Sequence, residues 1–275
     1  AASHDLRQPL YSLSLFTSIL DETITYPKAK KIVEQINVSV LALNNLFDKL
    51  LDISQLDAGV IETKKKDFSL ASIFDKLLAN YNSEAQEKNI VISWPQTYPS
   101  VHSQEDLLER ILRNYLSNAI KYTVQGNITV TCEVLVNETG KSQVAVCVSD
   151  TGIGISVNDI SEIYEEFYQI SNPERDRQKG LGLGLSIVKR TAKLLEHDIS
   201  VSSEIGKGSR FSIWVDAAEH DVIESSKESS VAQLTKLANS ALVVVIDDEE
   251  SIRQGLENIL ILWGYRVISA SNLEQ

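Results

Sequence analysis

The sequence predicts an α+β protein of several domains, and three observations lead to this prediction. Apolar residues recur at helical spacing in two long stretches, residues 4–24 and 28–58, with a break at Pro27 between them. Apolar and polar residues then alternate strictly in several stretches within residues 128–215, a pattern typical of half-buried strands. Finally, the apolar run at 242–246 begins a new strand–helix–strand pattern.

The composition narrows the range of possible functions. A chain of 275 residues holds about two domains of roughly 100–200 residues each and can bury a substantial core. Its net charge of −12 argues against direct binding to nucleic acid. Cys132 and Cys147 lie in alternating stretches without C-x-x-C spacing, so we expect buried free thiols with no metal or redox role.

The sequence contains no recognisable targeting or membrane-spanning segment. No apolar run approaches the ~18 residues of a membrane span, and no signal peptide opens the chain. We therefore expect these residues to be cytoplasmic. Because the chain contains no methionine, we also expect it to be a fragment, so that any membrane anchor would belong to missing upstream segments.

Residues 1–66 form the first predicted domain, a helical hairpin. Both of its helices are amphipathic, and two such helices bury only one face against each other. The remaining apolar stripe needs a partner, and pairing two hairpins into a four-helix bundle is the simplest solution. The sequence therefore predicts a homodimer formed through the hairpin. The alternative, that the stripe packs on the chain's own second domain, stays open.

Residues 67–217 form the second predicted domain, a two-layer α/β sandwich. Its predicted elements are helices around residues 73–81 and 107–116, a β-hairpin over 128–148, a helix over 184–196 and a second β-hairpin over 199–215. Ser103 precedes the second helix and is its predicted N-cap. Glycine-containing turns at 137–141 and 206–208 close the two hairpins.

A linker and an incomplete third domain follow the sandwich. Residues 218–240 are rich in Ser, Glu and Lys and show little periodicity, as expected for a flexible linker. Residues 241–275 read as a strand, a helix and a second strand, which is too little chain to bury a core. We interpret them as the truncated start of a further domain.

The first motif with chemical content is His4 followed by Asp5. A phosphate acceptor on nitrogen must be exposed and neutral, and an imidazole with a pKa near 6.5 is neutral at cytosolic pH. A carboxylate beside the other ring nitrogen fixes the tautomer and takes up the developing positive charge, which Asp5 is placed to do. Taken alone, the pair also fits an ordinary polar helix face carrying solvated side chains.

The second motif places four polar or aromatic residues at helical spacing of three and four, on one stripe of a helix. They are Asn114, Asn118, Lys121 and Tyr122. Amide oxygens suit Mg²⁺, which binds through a few protein oxygens together with phosphates and water. Lys121 adds positive charge for phosphates, and Tyr122 offers a ring for a base. A solvent-facing polar stripe is the alternative explanation of this spacing.

The third motif, Asp150-x-Gly152-x-Gly154, ends a strand predicted to be buried. The Asp150 carboxylate is placed to accept a hydrogen bond from an exocyclic amine, and the glycines let the backbone approach a ring closely. The alternative is a turn that ends the strand, in which the glycines are merely permissive.

The fourth motif is a glycine–leucine alternation that leads directly into an amphipathic helix. The glycines are Gly180, Gly182 and Gly184, and the leucines are Leu181, Leu183 and Leu185. Such a loop can wrap phosphates and offers a helix N-terminus to an anion. A flexible glycine linker is the alternative, but it would not carry a leucine at every second position.

The order of these motifs resembles that of a hybrid sensor histidine kinase of two-component signalling, along essentially the whole chain. The segments that resemble family motifs are residues 4–10 (H box), 110–123 (N box), 150–154 (G1 box), 167–169 (F box), 180–185 (G2 box) and 206–211 (terminal hairpin). The resemblance implies a dimerisation and histidine phosphotransfer domain, followed by an ATP-binding domain of the histidine kinase and gyrase type. It implies ATP and Mg²⁺ as cofactors.

The resemblance also implies individual roles. His4 would be the phosphoacceptor, Asp5 the general base, Asn118 a Mg²⁺ ligand and Asp150 the acceptor for the adenine amine. The implied nucleotide contacts are Asn114, Asn118, Lys121, Tyr122, Asp150, Gly152, Gly154, Phe167 and the stretch from Gly180 to Leu185.

Two further expectations concern phosphate transfer. Residues 242–268 resemble the start of a flavodoxin-like receiver domain, in which Asp247 and Asp248 would bind Mg²⁺ beside a phosphoacceptor aspartate that this chain does not reach. The expected partner is therefore its own receiver or a separate response regulator. Gln8 departs from the family, because many relatives carry Thr or Asn at this position, which is linked to dephosphorylating the partner.

Two other functions stay open at this point. A gyrase-, MutL- or chaperone-type ATPase has the same kinds of nucleotide-binding motif, namely the asparagine, the D-x-G-x-G sequence and the glycine loop. Such proteins lack the upstream His-Asp-x-x-x-Pro helical hairpin. A catalytically silent scaffold would dimerise and bind nucleotide without forming phosphohistidine, although intact nucleotide motifs argue against it.

Overall fold

The computed structural model describes residues 2–24, 26–136, 140–170, 181–218, 242–247, 250–262 and 265–272. These residues form two compact units. One unit contains the N-terminal helices up to Leu51 together with the described residues from Leu242 onward, and the other contains residues from Asp52 to 218. Within the described ranges, no helix has both the length and the apolar character needed to cross a bilayer.

The N-terminal helices confirm the predicted helical hairpin. They are α1 (Ala2–Thr23) and α2 (Pro27–Asp57). Pro27 begins α2, where a missing backbone N–H costs nothing because the first N–H groups of a helix have no partner within it. Asn44 Nδ2 on α2 donates to Ser14 Oγ on α1 at 2.9 Å, and Val33 and Val40 of α2 are buried.

Both helices of the hairpin leave large apolar side chains in contact with solvent. The exposed ones are Leu13, Phe16, Leu20, Ile32, Ile36, Val38, Leu41, Leu43 and Leu50. Ile36, Leu43 and Leu50 are spaced by seven residues and therefore follow one line along α2. Burying an apolar side chain of this size is worth about 1.5–3 kcal/mol, so a continuous line of them favours association with another apolar surface.

The second unit is the predicted two-layer α/β sandwich. Its elements are β1 (Lys66–Ser69), α3 (Ala71–Glu87), β2 (Ile90–Ser93), β3 (Ser100–Ser103), α4 (Glu105–Tyr122), β4 (Gly126–Val136), β5 (Ser142–Asp150), α5 (Gly184–Leu195), β6 (Asp198–Glu204) and β7 (Gly208–Asp216). Five strands form a mixed sheet in the order β2-β4-β5-β7-β6. The one parallel pair in this sheet is β2 with β4. The three helices form the second layer.

Strand pairing confirms both predicted hairpins of the sandwich. Val136 pairs with Ser142 at the end of the β4–β5 hairpin, and Glu204 pairs with Gly208 at the end of the β6–β7 hairpin. The three remaining strands, β1, β2 and β3, were not predicted. Each is only four residues long, which is too short for an alternation of apolar and polar residues to be distinguished from chance.

The core lies between the helices and the sheet. Tyr115 of α4 stacks on Phe211 of β7, with ring centroids 5.2 Å apart and an angle of 28° between the rings. Such pairs contribute about 0.5–1.5 kcal/mol beyond the area they bury. Leu108, Ile111 and Leu112 of α4 are fully buried beside them. This packing fixes α4 over β5 and β7, and these three elements border the site described below.

The predicted role of Ser103 as a helix N-cap is wrong. Ser103 is the last residue of β3, and Gln104 occupies the N-cap position of α4 without a side-chain cap. The Ser103 hydroxyl instead forms a hydrogen bond of 2.8 Å with Nε2 of His197, and both side chains are buried. Because burial disfavours the charged ring, the pKa of His197 is lowered to about 4.

We expect His197 to make the sandwich less stable in mild acid. As the pH falls from 6.5 toward about 4, His197 binds a proton in the unfolded chain but not in the folded chain. The free energy of unfolding therefore falls across this pH window and is unaffected above it. The loss amounts to about 3 kcal/mol when the window has been crossed. Thermal unfolding followed by circular dichroism between pH 7.5 and 4.5 measures it. His197→Gln should flatten the curve, and an equally steep curve in the variant would contradict this assignment.

The C-terminal described residues confirm the predicted strand–helix–strand order. They form β8 (Leu242–Ile246), α6 (Glu250–Leu262) and β9 (Arg266–Ala270), and β8 pairs with β9 in parallel. Within the same compact unit, α6 packs closely on α1. A Cβ placed on Gly255 would lie 1.9 Å from a methyl carbon of Leu15, so a larger residue at this position would require the Leu15 side chain to move.

Candidate functional site

A cleft opens in the sandwich where α4, the end of β5, the loop after β5 and β7 meet. It is lined by Asn118, Tyr122, Asp150, Ile153, Gly154, Ile155, Ile163, Tyr168, Gln169, Ile170, Leu185, Ser209 and Phe211. Its empty space, including space open to solvent, is about 600 Å³. This size, with a mostly apolar wall and a few polar groups, is typical of a site for a small molecule.

Helix α4 contributes the predicted asparagine stripe. Asn118 and Tyr122 line the cleft, as their spacing of four residues requires. Asn114 lies one turn earlier, where its Nδ2 donates to the Arg110 carbonyl at 2.8 Å. A Cβ placed on Gly184 would lie 2.8 Å from Asn114 Oδ1, so the start of α5 passes directly beside this amide. The structure thus brings the second and fourth motifs together.

Lys121 lies beside the cleft and is not part of its wall. Its ammonium donates to the Tyr122 hydroxyl at 2.8 Å and lies 4.4 Å from the centre of the Tyr122 ring. A cation over the face of an aromatic ring is attracted by the ring's quadrupole. This contact orients the Tyr122 ring beside the cleft, and Tyr122 as a residue is 37% exposed.

Asp150 is the carboxylate of the cleft. It ends β5, and its Oδ1 accepts the N–H of Gly152 at 2.8 Å. Burial raises the pKa of Asp150, and the backbone N–H groups of Gly152 and Ser209, which bind the ionised form, only partly counteract this effect. The carboxylate is therefore an oriented and partly desolvated acceptor, which can take a further hydrogen bond from a donor in the cleft.

The glycines near Asp150 allow three backbone segments to meet. A Cβ on Gly152 would lie 2.5 Å from the Tyr122 carbonyl oxygen, and one on Gly154 would lie 2.0 Å from that of Glu204. On the side of the β6–β7 turn, a Cβ on Gly208 would lie 1.9 Å from the Asp150 carbonyl oxygen. The end of β5 is thus enclosed by α4 on one side and by the β6–β7 turn on the other.

We expect Gly208→Ala to disrupt this packing far more than Gly206→Ala in the same turn. Both glycines have a positive φ, +104° and +77°, but only Gly208 faces backbone atoms, whereas nothing lies within 4 Å of a Cβ on Gly206. Gly206→Ala should therefore cost only the backbone strain, about 1–2 kcal/mol. Thermal unfolding and nucleotide titration of both variants test this. Equal losses in both would show that backbone strain alone matters here.

The glycine–leucine motif borders the cleft through its second half. Gly182, with φ of +70°, accepts the N–H of Phe167 at 3.1 Å, and its Cβ would meet the Tyr168 carbonyl oxygen at 2.7 Å. Leu183 is fully buried, Leu185 lines the cleft and Leu181 is half-buried. The predicted phosphate contact at Gly180 lies outside the described residues.

The residues after Phe167 line the cleft. Phe167 has φ of +61°, is 58% exposed and is not part of the cleft wall, whereas Tyr168 and Gln169 are. The Tyr168 hydroxyl donates to Asp159 Oδ1 at 2.5 Å, which raises the pKa of Tyr168. The pKa of Asp159 is lowered, first by the Ser156 hydroxyl, which donates to Asp159 Oδ2 at 2.6 Å, and then by Tyr168.

Several lining residues were not predicted. They are Ile153, Ile155, Ile163, Tyr168, Gln169, Ile170, Ser209 and Phe211. Those in the F box and in the terminal hairpin lie within motifs that the sequence displays, but the motif does not say which of its side chains faces a ligand. The isoleucines carry no signal that separates them from other core residues.

The other predicted functional residues belong to the first compact unit. His4, Asp5 and Gln8 lie in α1, and their side chains are outside the described part of the chain. Asp247 follows β8, where its N–H donates to the Ala270 carbonyl and its own carbonyl accepts from Arg253. Asp248 lies outside the described residues. Among the residues that the structure describes, no group of three or more His, Cys, Asp or Glu side chains is arranged to hold a metal ion.

Two family models match the chain. Residues 1–59 match "His Kinase A (phospho-acceptor) domain", and residues 103–219 match "Histidine kinase-, DNA gyrase B-, and HSP90-like ATPase". The first covers the helical hairpin, and the second covers α4, β4 to β7 and the whole cleft wall. Two separate stretches of the chain thus match the two kinds of domain that the resemblance implied.

Known proteins agree with this assignment. Hybrid signal transduction histidine kinase B of Dictyostelium discoideum is 32% identical over 78% of this chain and 11% of its own length. Sensor protein GacS of Pseudomonas syringae pv. syringae is 30% identical over 99% of this chain and 30% of its own length. This chain therefore spans less than a third of either relative.

A solved structure shares the fold. The crystal structure of full-length ShkA in complex with AMPPNP superposes with a TM-score of 0.68 over 99% of this chain and 55% of that chain, at 23% sequence identity. Because the phospho-acceptor and ATPase matches occur in one chain and its relatives include named histidine kinases, this chain belongs to the sensor histidine kinase family.

Proposed function

We propose that this chain is the catalytic core of a hybrid sensor histidine kinase. It transfers the γ-phosphoryl group of ATP to His4 and then passes it to a receiver-domain aspartate. The observation that carries the proposal is the meeting of Asn118 and Asp150 in one cleft, in a chain whose N-terminal hairpin matches the phospho-acceptor family. We propose the domain limits 1–66 for phosphotransfer, 67–217 for nucleotide binding, 218–240 for the linker and 241–275 for the receiver start.

The cleft fits adenine at its inner end. Asp150 supplies a carboxylate acceptor for the 6-amino group, and Ile155, Ile163 and Phe211 supply apolar walls for the ring. Gly152 and Gly154 keep the backbone close enough to contact a flat base, because any side chain there would meet backbone atoms. Tyr122 covers the entrance. The chemistry of these residues therefore supports binding of a purine nucleotide with an amine.

The phosphate end fits Mg²⁺ and a triphosphate. Asn118 supplies a neutral amide oxygen to the cleft, the type of ligand that Mg²⁺ accepts. When bound, the ion neutralises charge on the phosphates. Lys121 adds a positive charge close to the entrance, and the G2 segment at Gly182 and Gly184 brings backbone N–H groups and the start of α5 to the same end. These groups position the phosphates, which is most of what phosphoryl transfer requires.

His4 then acts as the nucleophile. A ring nitrogen of His4 attacks the γ-phosphorus, the bond to the ADP oxygen breaks, and ADP leaves with the electron pair. The proton on the other ring nitrogen is held or taken up by Asp5, which stabilises the charge that develops on the ring. His4 lies two residues after the first residue of α1. The exposed apolar line of the hairpin is the surface through which we propose that two copies form a four-helix bundle.

The C-terminal residues are proposed as the start of the receiver. Asp247 follows a parallel strand, where carboxylates commonly gather at one sheet edge, and Asp247 with Asp248 would hold Mg²⁺ there. The acceptor aspartate lies in another part of a receiver, in the same protein or in a separate response regulator. Gln8 would orient a water differently from the shorter Thr or Asn of relatives, so we propose that phosphatase activity is weak.

The test is incubation with γ-labelled ATP and Mg²⁺, followed by analysis of the label on the protein. We expect a label that is stable in base and lost in acid, which is the behaviour of phosphohistidine. ATP hydrolysis without labelled protein would support a gyrase- or MutL-type ATPase. ATP binding without either would support a silent scaffold. Both of these outcomes would overturn the proposal.

A further inference from the structure

The hydroxyl of Ser203 joins three polar groups behind the cleft. Ser203 lies on β6, and its Oγ accepts the N–H of Ile155 at 2.8 Å. The same oxygen lies 2.8 Å from the Gly208 carbonyl oxygen and 3.0 Å from Ser209 Oγ. Ile155 and Ser209 both line the cleft, whereas Ser203 does not. One side chain outside the cleft thus connects two parts of its wall.

The number of protons at Ser203 decides the direction of each hydrogen bond. A serine hydroxyl has one proton to donate and two lone pairs to accept with. The Gly208 carbonyl can only accept, so this shorter bond uses the Ser203 proton. The Ile155 N–H occupies one lone pair of Ser203, and the bond to Ser209 must then use the Ser209 proton. The Ser209 oxygen therefore turns only lone pairs toward the cleft.

Ser209 and Asp150 consequently present the same polarity. The Ser209 backbone N–H supports the Asp150 carboxylate, so the two residues are neighbours in the cleft wall, and both offer acceptors. At the C6 position, adenine brings the N–H donors of its amine to these acceptors. A 6-oxo purine brings a carbonyl oxygen to the same position, which would leave acceptors facing each other there.

The position of Ser203 is fixed by its surroundings. The next residue, Glu204, is packed against Gly154, and the Gly206 N–H donates to the Ile153 carbonyl at 2.8 Å. The hydroxyl therefore cannot move away from Ile155 and Ser209 without separating the β6–β7 turn from the loop after β5. Ser203 is half-buried, so its three hydrogen bonds compete with little water.

We propose that Ser203 is a positioning residue for purine specificity: by holding the Ser209 proton, it makes the Ser209 hydroxyl an acceptor that favours a 6-amino purine over a 6-oxo purine. This inference rests on the proposed function, because it takes the cleft to be the nucleotide site. Ser203 acts entirely through Ser209 and does not contact the nucleotide itself.

The test compares ATP with ITP, which differs from ATP in the carbonyl at C6 and the proton on N1. Calorimetric titration of the full chain gives the affinity for each nucleotide. In Ser203→Ala, we expect the preference for ATP over ITP to fall about tenfold, the value of roughly one hydrogen bond, because Ser209 becomes free to donate. Ser203→Thr keeps the hydroxyl and should keep the preference. Ser209→Ala, which leaves the other bonds of Ser203 in place, should lose it as Ser203→Ala does.

The possible results separate the two proposals. A purely structural role of Ser203 would weaken ATP and ITP equally, and an unchanged ratio in Ser203→Ala and Ser209→Ala overturns the inference. A wild-type chain that binds both nucleotides equally well also overturns it, while leaving histidine phosphorylation untouched. A wild-type chain that binds neither nucleotide overturns the proposed function itself, and this inference with it.

Discussion

His4→Gln is expected to abolish phosphorylation of the protein while leaving nucleotide binding unchanged. The lone pair on a glutamine side-chain nitrogen is delocalised into its carbonyl group, so the residue keeps polarity but loses the nucleophile. Nucleotide binding should persist because, among the residues that the structure describes, those of the cleft wall all lie between Asn118 and Phe211. Labelling with γ-labelled ATP measures the first property, and calorimetric titration with ATP measures the second.

A matched control for His4→Gln is the same substitution at His102. His102 lies on β3, where its ring is half-exposed and paired with Asp67 at 2.5 Å. It is outside the cleft and should be dispensable for labelling. A label that survives in His4→Gln and is released by hydroxylamine would reveal an acyl phosphate on a carboxylate. That result would contradict His4 as the acceptor.

Mixing two inactive variants then tests whether transfer occurs between protomers. His4→Gln keeps the nucleotide cleft, and Asn118→Ala keeps the histidine but loses the proposed Mg²⁺ ligand. If two hairpins associate and exchange, and if the nucleotide of one protomer serves the histidine of the other, the mixture should recover label on the Asn118→Ala chain. Transfer within one protomer would leave the mixture unlabelled. Size analysis of the mixture by light scattering distinguishes this result from a failure to dimerise.

The long elements of the fold were predictable because their periodicity is carried by many residues. The hairpin helices α1 and α2 span 22 and 31 residues, and β4 and β5 span 11 and 9 residues with register-matched apolar faces. The four-residue strands β1, β2 and β3 carry too few residues for a pattern, and their pairing depends on chain that is far away in sequence. Local sequence cannot supply that information.

The error at Ser103 has a similar cause. A serine just before an amphipathic helix is a good N-cap pattern when only local sequence is considered. In the folded chain, however, the hydroxyl is engaged by His197, which lies 94 residues later. The tertiary bond satisfies a buried imidazole, whereas an unsatisfied helix N-terminus can bond to water. The more costly unsatisfied group therefore determines where the hydroxyl points.

The candidate site was predicted unevenly for the same reason. Asn118 and Asp150 lie 32 residues apart, yet both carry a local signature, an amide stripe on a helix and a carboxylate at the end of a strand. Ser203 has no such signature, and Ser209 lies in the terminal-hairpin motif, which does not say that its side chain faces the cleft. Their importance arises only when the β6–β7 turn packs against Asp150 through Gly208. A functional role that depends on the type of one residue can be predicted from the sequence, whereas a role that depends on tertiary packing cannot.

Asp150→Asn is expected to weaken ATP binding by about 10–100-fold, which corresponds to roughly 1–3 kcal/mol. The carboxylate accepts the N–H groups of Gly152 and Ser209 and still has lone pairs for the adenine amine. An asparagine side chain has one acceptor and one donor group. If its oxygen keeps the two backbone bonds, its amide hydrogens face the amine hydrogens of adenine, and one donor is left unpaired in a partly buried site.

The pH dependence of binding gives a second readout of the same residue. Because burial raises the pKa of Asp150, protonation of the free protein removes the acceptor at a higher pH than for an ordinary aspartate. ATP affinity of the wild type should therefore fall as the pH is lowered toward that raised pKa, and Asp150→Asn should lack this component. Asp198→Asn, which changes an exposed carboxylate at the start of β6, is the matched control and should bind ATP as the wild type does. If Asp150→Asn also bound ATP normally, the adenine end of the cleft would have to be assigned to other residues.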